Sequence, residues 1–178
     1  MYTNKVIRFL LPLFISVVNI GFAQTIYLKG GVNISSLDYS SGGGSLSSSS
    51  QTDFHFGVGV ATEIANKLVF QFGASYSRLA INSVSTSGFL LGSAVFKYHP
   101  VKEFNFNIGP YGGIQISKDP SPGSNYGITP GIEYYFANNM GVGISYLYGL
   151  GESTDQTRAF QFSFIYRFNS KQLKNAGY

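Results

Sequence analysis

The segment "AFQFSFIYRF", residues 159–168, alternates between two kinds of side chain. Phe160, Phe162, Phe164, Tyr166 and Phe168 share one parity, while Ala159, Gln161, Ser163, Ile165 and Arg167 share the other. A period of two belongs to a β-strand whose faces meet different surroundings. The fold turns on which face is inside. A soluble sandwich would bury the phenylalanines, whereas a membrane barrel would turn them outward into lipid.

The alternation recurs along the chain. Segments 26–37, 53–64, 68–79, 87–98, 104–117, 125–136, 140–149 and 159–168 read as eight strands separated by turn residues. Even positions carry Ile26, Leu28, Phe54, Phe56, Phe70, Phe72, Phe96, Phe106 and Ile144. Odd positions carry Gly57, Gly59, Gly73, Gly131, Gly143, Ser75, Ser145, Asn105 and Asn107. An eight-stranded barrel has an interior just wide enough to be filled by side chains. The bulky set is too large for it and the small set fits, so the phenylalanines face outward. An exterior that apolar is stable only against lipid. Segment 87–98 is ambiguous, because Leu90 and Leu91 are both apolar.

Connection lengths support the same fold. "ANK" (65–67), "HPVKE" (99–103) and "ANN" (137–139) are short, while 38–52, 80–86, 118–124 and 150–158 are longer. The first long connection is Ser/Gly-rich and too poor in apolar residues to pack alone. Outer-membrane barrels keep short turns on the periplasmic side and long loops outside. Counting strands from a periplasmic start places every connection in that arrangement, and an even strand number closes the barrel without a free edge.

Composition agrees with one domain. The 178 residues are 11% charged and 16% aromatic, with 22 Gly and no Cys. Without Cys there is neither a disulfide framework nor a thiolate metal site. The formal charge is +4, and two of those charges, Lys5 and Arg8, sit in a segment expected to be removed. No clustered basic face for nucleic acid remains. Lys5 and Arg8 precede the apolar "FLLPLFISVVNIGFA", with Gly21 and Ala23 at the −3 and −1 positions of a cleavage site. The expected organisation is a signal peptide (1–23), an outer-membrane barrel domain (24–168) and a periplasmic C-terminal tail (169–178).

The chain resembles the PorT-like, eight-stranded outer-membrane β-barrel family of Gram-negative Bacteroidetes. The resemblance rests on "KGGVNISSL" (29–37), "VFKYHP" (95–100), "FNFNIGPYGGIQIS" (104–117) and "FQFSFIYRF" (160–168). The last segment is also similar to the C-terminal signal read by barrel-assembly machinery, although "NSKQLKNAGY" follows it. The resemblance implies a location and a fold. The expected partners are outer-membrane lipid, lipopolysaccharide and, during insertion, the assembly machinery, and the expected state is a monomer. Some relatives are thought to serve in a secretion complex.

No catalytic, cofactor or metal site is expected. His55 lies on the lumen parity beside Asp53, and His99 precedes Pro100 in a turn; neither position suits a lipid-facing hydrolase. Asp53, His55 and Glu63 share a face, but Glu63 is far down the strand at about 3.3 Å per residue. "GVGVATEI" and "GVGISY" lack the helix a phosphate loop needs. The lumen charges Lys29, Glu63, Lys97, Glu133 and Arg167 all fall near the periplasmic ends of their strands. They are expected to form an ion cluster centred on Lys29, Glu63 and Arg167, with Lys97 and Glu133 nearby. Such a cluster would plug the barrel, or gate it by exchanging partners. The expected role is non-enzymatic, in adhesion or envelope integrity, with a narrow pore or a secretion subunit as alternatives and a lipid-modifying enzyme as a weaker one.

The reading predicts β-rich circular dichroism in detergent and gel migration that changes on boiling. Solubility of the signal-free protein without detergent would overturn the outward assignment of the phenylalanines.

Overall fold

The structure is a computed structural model that describes residues 25–37, 49–80, 86–116, 124–150 and 158–168. The signal segment, the C-terminal tail and most of each long connection lie outside the described residues. Ten strand segments run in order: β1 (Thr25–Leu37), β2 (Ser49–Ala65), β3 (Leu68–Ala80), β4 (Thr86–Val101), β5 (Phe104–Ile108), β6 (Pro110–Ile116), β7 (Ser124–Ile128), β8 (Gly131–Tyr135), β9 (Met140–Gly149) and β10 (Arg158–Phe168). β5 and β6 form one spanning strand interrupted at Gly109, and β7 and β8 form another interrupted at Thr129–Pro130. The wall therefore has eight spanning strands, all antiparallel. β10 pairs with both β9 and β1, which closes the barrel.

Parity governs the wall. Exposed apolar residues are almost all even-numbered, from Ile26 and Leu28 through Phe56 (60% exposed) and Ile114 (59%) to Phe160, Phe162 and Phe164. Buried residues are odd-numbered, including Tyr27, Asn33, His55, Leu91, Glu133 and Ile165. In the ambiguous segment Leu90 points out and Leu91 points in. Aromatic rings knit neighbouring strands on the outer surface: Phe70 packs on Phe96 at 4.7 Å between ring centres, and Tyr146 on Phe160 at 4.7 Å.

The two interruptions share one cause. Pro110 and Pro130 have no N–H, so each deletes a ladder bond inside the wall. Thr129 N donates to Gly109 O at 2.8 Å across the β5/β6–β7/β8 seam, and Tyr146 N donates to the Pro130 carbonyl at 2.9 Å. The flanking registers set Pro110 opposite Ala94. Gly109 lets the strands close there, since a Cβ at 109 would collide with the Ala94 carbonyl oxygen. Strand ends also differ from the sequence expectation. β2 begins at Ser49 rather than 53, and β4 runs on to Val101, shortening that turn to Lys102–Glu103.

Phe162→Arg or Ile144→Arg places a charge against lipid and should cost about 2–4 kcal/mol near the midplane. Urea unfolding in detergent or lipid, read by gel migration, measures this. Ser163→Arg points into the lumen, where cost is set by space. If it harmed insertion far more than both outward changes, the faces would be exchanged.

Candidate functional site in the barrel lumen

Among the described residues, the lumen brings polar and charged side chains together. At the end bearing the short turns, Lys97 on β4 and Glu133 on β8 meet across the intervening β5. Lys97 Nζ donates to Glu133 Oε1 at 2.7 Å and Oε2 at 2.6 Å. Tyr135 Oη donates to Oε2 at 2.8 Å, so both carboxylate oxygens are engaged. The Arg167 guanidinium lies 3.3 Å from the centre of the Tyr135 ring. With the Asn105 amide turned to match its neighbours, Arg167 Nη2 also donates to Asn105 Oδ1 at 2.9 Å. Tyr27 flanks the pair, with Lys97 Nζ 5.6 Å from its ring centre and its hydroxyl donating to Phe72 O at 3.2 Å. The Tyr27 ring end occupies the space that Gly59 and Gly73 leave without side chains.

Not all five expected residues join this cluster. Lys97, Glu133 and Arg167 are together, and Lys29 stands within electrostatic range of Glu133. Glu63 is not the centre. It is exposed at the turn end, where it acts on His99. The reason is register. Lys29 sits opposite Gly57, and even Thr25 reaches only Ala61, so Glu63 lies beyond the paired start of β1. Tyr135, Asn105 and Tyr27 were missed as partners, although their odd parity marked them as inward.

Above the ion pair, Gly31 lies between two polar neighbours, His55 on β2 and Ser163 on β10. Lacking a side chain, it lets His55 Nε2 and Ser163 Oγ share a hydrogen bond at 2.9 Å across it. Farther toward the long connections, Asn33 Nδ2 donates to Ser77 Oγ and Arg78 O, each at 2.8 Å, and Gln161 Nε2 donates to Asn33 Oδ1 at 3.0 Å. Asp53 pairs with Arg78 at 3.5 Å. An apolar cluster of Leu79, Phe89, Leu91, Tyr111, Leu147 and Ala159 shares this half of the interior. The lumen is thus not lined only by small and polar residues, as the Gly and Ser content suggested. Large apolar side chains from β3, β4, β6 and β9 also fill it.

A Ser–His contact begins a hydrolytic site only when substrate and an orienting group reach it. His55 Nδ1, where a carboxylate would hold the ring, has no partner among the described residues. Ser163 borders an internal cavity of about 40 Å³, shared with Lys29, Gln71, Ser93, Lys97 and Glu133. That is room for a few waters, not an acyl substrate. Among the described residues no group of three His, Cys, Asp or Glu could hold a metal.

No protein-family model matches the chain, and no curated protein sequence does. Similarity to solved structures is at the level of fold. Neisserial surface protein A superposes with a TM-score of 0.51 at 15% identity, covering 82% of this chain and 97% of that one. Ail, the attachment invasion locus protein of Yersinia pestis, superposes with a TM-score of 0.52 at 13% identity, covering 83% of this chain and all of its own.

Glu133→Gln should destabilise the barrel by about 3 kcal/mol, because it strands a buried Lys97 ammonium. Glu63→Gln, at an exposed site, should stay within about 0.5 kcal/mol. Unfolding midpoints of the two variants compared side by side check both; equal losses would place the centre of the ion cluster wrongly.

Proposed function

We propose that the protein is a non-enzymatic outer-membrane barrel with a closed lumen, acting through its outward surface in adhesion or envelope integrity. The observation that carries this reading is the filling of the interior. An ion pair with its tyrosine and arginine neighbours fills one end, a hydrogen-bonded network crosses the middle, and an apolar cluster occupies the loop half. The internal cavity of about 40 Å³ is too small to form a channel. Work done through the lumen would need this packing to come apart, whereas the lipid-facing belt is available without any change. The name of Ail, an attachment protein of the same fold, is in keeping with a surface role.

On this reading the chain carries an N-terminal export signal, is inserted into the outer membrane of a Gram-negative cell by barrel-assembly machinery, and is surrounded there by phospholipid and lipopolysaccharide. It acts there as a monomer. The PorT-like resemblance adds a secretion-complex accessory as a second role compatible with a closed lumen. A pore opened by exchange of the Lys97–Glu133 pair is the competing reading.

In planar bilayers the purified protein should give no conductance steps. Steady steps that Glu133→Gln enlarges would favour the gated pore. In cells, a deletion strain carrying a version without residues 39–47 separates the surface roles. Lost adherence with intact detergent resistance supports surface interaction, and loss of both supports envelope integrity. Full rescue of both would remove that loop from the function.

A further inference from the structure

Charge in the lumen does not balance. Glu133 is matched by Lys97, which bonds both of its oxygens, and Tyr135 takes a further position on one of them. Arg167 is only partly buried, and it is held at the turn end by the Tyr135 ring and Asn105. The remaining inward carboxylates stand elsewhere: Asp53 is with Arg78 toward the loop end, and Glu63 is exposed at the turn end. Lys29 is left over. Half-buried like Arg167, it faces the lumen with no hydrogen bond or salt bridge within the described residues, within electrostatic range of His55, Lys97 and Glu133. A charge in a confined, low-dielectric space needs a partner.

The space beside it suits one. Lys29 borders the cavity of about 40 Å³. The same cavity is faced by the hydroxyls of Ser93 and Ser163, the amide of Gln71 and the ammonium of Lys97. Ser93 and Gln71 offer O–H and N–H donors, Ser163 does so when its bond to His55 is donated by the ring, Lys97 is committed to Glu133, and Glu133 is the carboxylate on the lining. One positive charge without a direct carboxylate partner, a few donors set in a lining that also holds Leu91, Val95, Leu147 and Ile165, and a volume of about one small ion with a water beside it fit an anion site.

We propose that the barrel lumen binds a single halide-sized monovalent anion, held by Lys29 with Ser163, Ser93 and Gln71 as neutral donors. The ion completes the charge balance of the interior and stabilises the folded barrel in proportion to its occupancy. A polyatomic anion such as gluconate is too large to enter. The inference is independent of the surface role proposed above, since a closed barrel needs its interior neutralised whatever its loops do.

The test uses the full mature barrel in detergent, unfolded by heat at matched ionic strength in sodium bromide or sodium gluconate. The midpoint, read by gel migration, should be several degrees higher in bromide, and the gain should saturate as bromide rises. Lys29→Met should abolish the difference between the two salts. Equal midpoints for the wild type in both salts, or a difference that Lys29→Met keeps, would overturn the proposal. If Lys29→Met fails to fold, wild-type crystals grown in bromide decide the matter. An anomalous peak within hydrogen-bonding distance of Lys29 Nζ supports the site, and a lumen without one rejects it.

Discussion

Every backbone N–H and C=O in a lipid-facing wall must find a partner inside the wall, because hydrocarbon offers none. Closure of β10 on β1 meets that demand for the two strands that would otherwise be edges. Closure also fixes the rest of the architecture. Once the sheet is a cylinder, the pleat sends every even residue outward and every odd residue inward, and neither set can turn over without moving a whole strand. The exposed phenylalanines and the buried ion pair are two results of one geometric condition.

The interior then becomes a packing problem under tight volume. Glycines at 31, 59 and 73 leave room for larger neighbours: His55 reaches Ser163 across the first, and the Tyr27 ring occupies the space of the other two. Small residues in this lumen serve as sockets for large ones. The result is a solid interior divided by polarity, with ionic packing toward the turns and apolar packing toward the loops. Buried ion pairs gain little stability over apolar residues of the same shape. The Lys97–Glu133 pair is therefore better understood as fixing the relative height of β4 and β8 on either side of β5 than as a source of strength.

The outer face was legible in the sequence along nearly every strand, because period two is imposed by the pleat; only in 87–98, where Leu90 and Leu91 are both apolar, did the pattern leave the face open. The contents of the lumen were only partly legible. Leu79, Phe89, Leu91 and Leu147 have inward parity, but glycine, serine and asparagine outnumber them on that face and give it a small, polar character in the sequence. Relative strand height was not legible at all. Glu63 has the right parity and charge to meet Lys29, yet the unbroken β1–β2 register sets Lys29 opposite Gly57 and Thr25 opposite Ala61, and the 17-residue β2 carries Glu63 past the start of β1. Such offsets depend on turn geometry and on the stagger that closure demands, which no local pattern encodes. The breaks at Gly109 and Pro130 did have a local signal, since proline inside a strand marks a lost ladder bond.

The pairing of β1 with β10 joins residues that are among the most distant in the sequence, such as Ile26 with Phe168. That makes the contact order of the fold high, and the loop that must be closed spans nearly the whole described chain. No early part of the polypeptide can reach its final edge pairing before the last strand has been synthesised and delivered. The unpaired edge of β1 is thus a standing aggregation hazard until assembly ends. Closure therefore waits on β10, the strand that meets both β9 and β1 and completes the ring.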